Sequence, residues 1–561
     1  MANMQKTCRQ CQTQFEITDE DLNFYDKISP VFAGKKYLIP PPTLCPDCRQ
    51  QRRLAQGNQI YLYHRKCDFS GKEIISNYHP ASLYKVYDQN IWYSDKWDPL
   101  KHGRDFDFSR SFFEQWHELS LAVPKPSLQR GFQYDENSDY TNYAGKNKNC
   151  YLIFDSDENR DCYYSYSLNG SESCMECYRC RKNELCYECI DSNKCYNCAF
   201  IQDSENCIDS LFLKNCVGCK NCIMSSNLRN KEYFIRNKKV SRENFQEYRY
   251  RLQSNIELQK AFKEFQQMKL KYPQKYTHGV LNEDVLGDYL TSCKNSFFCF
   301  DSANLWDCKY VFQAFNPLKS SMDIQECGDG ELLYESAFCG YDAFNLKFSI
   351  LTLGAASELI YSSHCHHSSN LFGCVGMQRK KYCIFNKQYT EKDYEKLAGQ
   401  IVEHMMKTGE WGEFFPMKFA TFAYNTSLAQ QYYPLSKEEV EKSELNWHEE
   451  DKMNHYEGPM IKIPDNIQDI DVEIIKKILT CEACGKNYKI IPQELKLYRQ
   501  LKLPIARKCF NCRHQARYVQ RNPRKLWQRT CAKCQSPIQT SYAPERPEIV
   551  YCEKCYLNEV Y

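Results

Sequence analysis

The sequence predicts a mainly β, multidomain fold: two parallel β-solenoid-like repeat halves, rich in Cys and Tyr, flanked by duplicated four-cysteine ribbon pairs, with a few capping helices. Three observations carry that expectation. C-x2-C pairs sit at both ends of the chain, cysteines of the first central segment recur every 9 or 12 residues, and two internal duplications relate one half of the sequence to the other. At 561 residues the chain exceeds a single core. The expected divisions are 1–95 (a ribbon and a degenerate copy), 96–135 (an aromatic and acidic helical connector), 136–240 (first repeat half), 241–284 (helix and linker), 285–389 (second repeat half), 390–478 (helix and connector) and 479–561 (tandem ribbons).

At the amino end Cys8, Cys11, Cys45 and Cys48 form a four-cysteine set. Two C-x2-C knuckles brought together supply four thiolates to one tetrahedral centre, the ligand set of structural zinc. The carboxyl end does this twice, with Cys481, Cys484, Cys509 and Cys512, then Cys531, Cys534, Cys552 and Cys555. An offset of 464 residues superposes the two ends from Cys45 onward: Cys45 matches Cys509, Arg49 matches Arg513, Arg53 matches Arg517, Arg65 matches Arg529 and Cys67 matches Cys531. Where Cys534, Cys552 and Cys555 stand, the amino-terminal copy has Ser70, Asp88 and Ile91. That second ribbon is expected to keep its hairpin path and to have lost its ligands. Three structural Zn2+ ions follow.

The connector after the first block is aromatic and acidic, and Ser109 to Leu121 has helical spacing that Pro124 and Pro126 end. His102, Asp105 and Asp107 read as a turn and helix start rather than an acid/base group. From Lys146 the texture changes to short units led by Cys150, Cys162, Cys174, Cys186, Cys195, Cys207 and Cys216, each a short Cys/Tyr/Leu strand followed by polar turn residues. Units so short cannot bury a face alone, so they stack as rungs. The texture returns from Lys294 to Asn386, displaced by 146 residues at its start and 149 at its end. Each half closes on a helix: Ser241 leads into Phe245, Tyr248, Leu252 and Ile256, and Thr390 into Tyr394, Leu397, Ile401 and Met405. The C-x2-C-x2-C runs at Cys174, Cys177 and Cys180 and at Cys216, Cys219 and Cys222 lack the Cys-Pro of bacterial iron–sulfur motifs, so buried ladders are expected, with an additional metal as the alternative. His364, Cys365, His366 and His367 alternate faces on a strand and cannot all share one ion.

Net charge is only +3, which does not mark a globally basic protein. Positive charge is concentrated in the ribbon blocks, at Arg49, Arg52 and Arg53 and at Arg513, Arg517, Arg521, Arg524, Lys525 and Arg529, with Tyr518 and Trp527 available for stacking. A helix from Arg513 to Arg521 would put three arginines on one face. These features predict a non-enzymatic nucleic-acid-binding protein, RNA favoured, whose duplicated ends contact phosphates. The competing expectation is that the arginines pair with acids of the repeat halves. A structural scaffold that engages a protein partner is the second function class, and a β-helix enzyme acting on a polymer through Asp155, Asp157, Asp301 or Asp307 the third; no catalytic residue is assigned. The amino terminus enters a knuckle within ten residues and no stretch reaches membrane-span length, so a cytoplasmic protein is expected, in which 34 cysteines are ligands or small buried hydrophobes rather than disulfides.

The segments LCPDCRQQRR, KCDFSGKEIISNY and YSDKWDPLKHGRDFDFSRSFFEQ, with CEACGKNYKIIPQELKLYRQ and CRHQARYVQRNPRKLW at the far end, resemble a family of zinc-ribbon proteins of candidate-phyla (Patescibacteria-type) bacteria. The resemblance covers essentially the whole chain. It implies a zinc-ribbon architecture and transfers no catalytic residue.

Overall fold

Every third residue from Asn149 to Arg236 has a positive φ, with glycine at only Gly170 and Gly218. The structure, a computed structural model, describes residues 4–449 and 461–561. Left-handed backbone costs an L-residue roughly 1–2 kcal/mol, so a run this long persists only where hydrogen bonds over-determine it. Here they run in both directions. The Met175 amide donates to the Cys186 carbonyl on the next rung, and the Glu176 amide donates to the Tyr163 carbonyl on the previous one. Each triplet therefore ends in a corner, and four triplets return the chain above its start: Tyr151 pairs in parallel with Tyr163, Tyr166 with Tyr178, Tyr187 with Ala199 and Ile208 with Lys220. The repeat is thus finer than the 9- or 12-residue cysteine spacing predicts.

The residue after each corner points inward, and this fixes the composition. Sides of three residues leave no room for aromatic rings, and the interior includes Cys150, Cys162, Cys174, Cys186 and Cys198 with Ile153, Leu168, Ile201 and Leu213. Inward Ser and Asn accept from the inward amide twelve residues on: Cys177 donates to Ser165 Oγ, Cys216 to Ser204 Oγ and Cys195 to Asn183 Oδ1. The thiols donate to carbonyls, Cys162 Sγ lying 3.3 Å from Arg160 O and 3.4 Å from Ser171 O. These inward-facing amides, hydroxyls and thiols are thereby paired.

The second half repeats the plan within a ten-stranded sheet spanning Glu283–Thr291 to Lys387–Gln388. Its corners advance by seven residues from Gln313 to Ser320, where two triplets would take six, and by four from Phe338 to Asp342 and from Gly354 to Glu358. Three single-residue insertions account for the drift between the halves from 146 to 149. Each stack closes with an antiparallel hairpin, Phe234 to Lys239 and Cys383 to Gln388, which covers the last edge.

Two units emerge. One contains Met1–Ser127, Thr277–Glu449 and Arg524–Leu526, the other Leu128–Tyr276, Glu450–Pro523 and Trp527–Tyr561. Each end of the chain thus shares a unit with the repeat half more distant from it in sequence. Thr390 caps a helix over Glu391–Thr408 that buries Tyr394, Ile401 and Met405. The stripe after Ser241 is not one helix: Arg242–Arg251 ends at Leu252, and Ser254 caps a new helix, Asn255–Met268, leaving Ile256 exposed. A side-chain cap in mid-stripe starts a helix of its own. The connector helix spans Phe112–Ala122 with Ser111 as its cap.

Lys125, in the first unit, is 1% exposed, donates to Ser120 Oγ at 3.0 Å and lies over the Tyr84 ring. Burial pushes its pKa from 10.5 down to about 7. Between those values the unfolded chain holds a proton that the folded chain has lost, so this residue makes stability rise with pH from about 7 to about 10. Lys125→Met is expected to raise the melting temperature more at pH 6 than at pH 9; calorimetry at both values checks it.

Candidate metal centres and arginine docking sites

Each four-cysteine set is built from a tight knuckle and a helix start. Cys8, Cys481 and Cys531 accept at their carbonyls from Gln12, Gly485 and Gln535, residues in the left-handed region that turn the chain back. Cys45 and Cys509 are the N-caps of the helices Pro46–Leu54 and Phe510–Tyr518, whose first turns carry Cys48 and Cys512. All four sulfurs of each set lie within 4.8 Å of one another. Cys11–Cys45 and Cys484–Cys509 are 3.6 Å apart and Cys534–Cys552 3.8 Å. A tetrahedral ion with 2.3 Å metal–sulfur bonds needs edges of about 3.8 Å, so the three sets can each hold a metal ion. Cys534 is exposed, and the Ser536 hydroxyl and amide bring its pKa down to about 6, toward the thiolate a metal requires.

The degenerate ribbon keeps the same path. Gly71 donates to the Cys67 carbonyl, and the Asp88 amide donates to Cys67 Sγ at 3.3 Å as the Cys552 amide does to Cys531 Sγ at 3.2 Å. Arg65 and Arg529 do equivalent work, donating to the His79 and Ala543 carbonyls, themselves 464 residues apart.

The arginines expected on a phosphate-facing surface are buried instead. In the first unit Arg49 meets Asp323 at 2.8 Å, Arg53 meets Glu335 at 2.7 Å and Asp323 at 3.3 Å, and Arg52 spans Glu335 at 3.1 Å and Glu413 at 2.9 Å. In the second unit Arg513 meets Glu176 at 2.7 Å and Glu494 at 2.9 Å, Arg517 meets Glu188 at 3.0 Å and also Glu176, and Arg521 meets Asp191 at 2.7 Å. None of these six arginines is more than 7% exposed. Burial opposes the Arg513 charge, and Glu176 and Glu494 outweigh it, holding the guanidinium well above its ordinary value. The physical reason for the correction is that charged groups leave water only with partners; corners of the repeat halves supply Asp323, Glu335, Glu176, Glu188 and Asp191, and Glu413 and Glu494 come from outside them.

The two clusters are copies. Arg49 and Arg513 lie over Tyr310 and Tyr164 at 5.5 and 5.0 Å. The rings and acids they meet, Tyr310, Asp323 and Glu335 against Tyr164, Glu176 and Glu188, occupy matching left-handed corners. These acids were not singled out by the sequence, although acid pairs twelve residues apart, one rung each, were the available signal.

The remaining expected contacts scatter. Arg521 lies beyond the helix, which ends at Tyr518, so the predicted three-arginine face reduces to Arg513 and Arg517. Arg524, within the first unit, meets Asp301 at 2.8 Å and covers Tyr432. Trp527 and Arg529 are half-buried on the hairpin strand Trp527–Thr530, and Lys525 is exposed. His514 packs on Tyr166 and Tyr178, and burial, then the Arg517 charge, push its pKa to about 3. Of the acids considered for catalysis, Asp301 is taken by Arg524 and Asp307 accepts from Asn295, while Asp105 pairs with Lys387 and Asp107 with Ser109.

Two outcomes are expected. Elemental analysis of protein grown in minimal medium should find three tightly held metal ions per chain, falling to two for Cys552→Ser. Arg517→Met should lower stability in urea by about 3–5 kcal/mol, because it strands buried carboxylates.

No family model matches the chain, and no curated protein matches it. Among solved structures, a chain described as a "putative acetyltransferase" from Desulfovibrio desulfuricans G20 aligns at 7% identity over 49% of this chain and 81% of its own, with a TM-score of 0.10, too low to carry an argument.

Proposed function

We propose that this chain is a non-enzymatic, zinc-stabilised scaffold: two β-solenoids, each clamped by a docked zinc ribbon, that offer their outer faces to a protein partner. The observation that carries this reading is the burial of the ribbon arginines against carboxylates of their own unit. A ribbon that grips RNA needs its guanidinium groups free in water; here Arg49, Arg52, Arg53, Arg513, Arg517 and Arg521 would first have to abandon buried acids. Zinc is the metal that four thiolates in closed tetrahedral arrangement favour. The 12-residue parallel register supports the solenoid, and an interior of reduced thiols suits the cytoplasm. The outer face of the first solenoid carries Tyr196 and Ile208, stacked in register and about two-fifths exposed, beside Asn197, which donates to Asp209. Apolar side chains among polar corners form a surface of the kind protein partners use.

Single-stranded RNA offered to the zinc-loaded chain at low salt is expected to show no retention. Retention that falls steeply as salt rises would overturn the scaffold reading in favour of phosphate contacts. Native purification after nuclease treatment is expected to recover a stoichiometric protein partner, lost on Tyr196→Lys with Ile208→Lys.

A further inference from the structure

The two docking sites share a common frame, and among their differences, such as Arg52 against Ala516, one pairs a ribbon position with a stack position in each unit. Arg521 forks onto Asp191, with Nε 2.7 Å from Oδ2 and Nη2 3.2 Å from Oδ1, and its guanidinium lies over Tyr178. Both side chains are about 5% exposed. At the 464-residue offset the counterpart of Arg521 is Gly57. At the 147-residue offset that relates Glu176 to Asp323 and Glu188 to Glu335, the counterpart of Asp191 is Phe338. Asp191 and Phe338 are both left-handed corners, with φ of 46° and 57°, one triplet beyond the second gripping acid. Phe338 fills the space an arginine would need: a Cβ on Gly57 would stand 2.2 Å from the Phe338 ring.

We propose that Arg521–Asp191 and Gly57–Phe338 are the specificity-determining pairs that match each ribbon to its own repeat stack. Arg49 and Arg513, Arg53 and Arg517, Tyr310 and Tyr164, and the two acid pairs are equivalent in place and do not discriminate, whereas Arg52, which meets Glu335 and Glu413 where the other ribbon has Ala516, adds to the key in the first unit. The keyed positions do not interchange. Arg521 set against Phe338 would meet an apolar ring where a carboxylate is required and overlap it sterically. Gly57 set against Asp191 would leave a void and a buried carboxylate facing Arg179 alone, which lies 3.3 Å away. Discrimination between similar partners comes from such repulsive mismatches as much as from attraction, and a buried charge without its partner is among the costliest of them. A duplicated chain with two ribbons and two stacks needs such a key, since the shared contacts alone would accept the wrong pairing. The inference does not depend on what the outer faces bind.

The test uses the full, metal-loaded chain and thermal unfolding. Exchanging the ribbon keys (Gly57→Arg with Arg521→Gly) and exchanging the stack keys (Asp191→Phe with Phe338→Asp) are each expected to lower the melting temperature by about 6–20 °C. Combining all four substitutions restores complementarity in both units and is expected to return it to within about 3 °C of the natural chain. A quadruple variant as unstable as the two doubles added together, or a ribbon-key double that melts like the natural chain, overturns the proposal. Should a double fail to fold, Arg521→Gln and Asp191→Asn remove charge at nearly constant volume. Their combined loss is expected to be smaller than the sum of the single losses, and additive losses overturn the pairing.

Discussion

Two carboxylates held one rung apart, gripped by two guanidinium groups held one helical turn apart, are the constraint on which both units depend. Neighbouring rungs stand about 4.8 Å apart, and residues i and i+4 of a helix rise about 6 Å. The two spacings are close enough for side chains to bridge, and Glu176 and Glu188, or Asp323 and Glu335, meet Arg513 and Arg517, or Arg49 and Arg53. The match requires corners that recur every twelve residues in strict register, and a helix that crosses them along the stack. It also requires dryness, since these pairs are buried and each charge is tolerable only while its partner stays.

The same helices start at cysteines of the four-sulfur sets that could hold a metal ion. Cys45 and Cys509 are N-caps, and the gripping arginines lie four and eight residues beyond them. A bound ion would fix the first turn, and the first turn sets the phase at which the arginines meet the corners. The four-cysteine set and the ion-pair cluster are thus two ends of one helix, and the two are duplicated together. In the degenerate ribbon no gripping helix depends on the lost ligands; there Arg65 and the hairpin Tyr63–Lys66 with Glu73–Ser76 keep the path without them.

What the sequence made legible follows from how local each signal is. The three four-cysteine sets could be read because ligand spacing is written in adjacent residues, and the duplications because the offsets are nearly constant. The three-residue period was hidden. Its left-handed corners carry Tyr164, Glu176, Leu185 and Phe212 where glycine or asparagine would have announced them, and the strain is met by bonds to rungs twelve residues away. The arginines misled for a related reason: net charge counts partners without locating them, and Asp323 lies 274 residues from Arg49. Arg521 left the expected helical face because the helix ends at Tyr518, three residues short.

The crossed chain order, in which each terminal ribbon joins the more distant repeat half, gives synthesis a direction. The helix Pro46–Leu54 leaves the ribosome 281 residues before Glu335, an interval on the order of 15–60 s at about 5–20 residues per second. Until Asp323 and Glu335 follow, Arg49, Arg52 and Arg53 lack the acids that they meet in the folded chain, and these cationic side chains stand uncovered beside the ribosome's own anionic surface. The carboxyl-terminal ribbon waits for nothing, because its acids were made first.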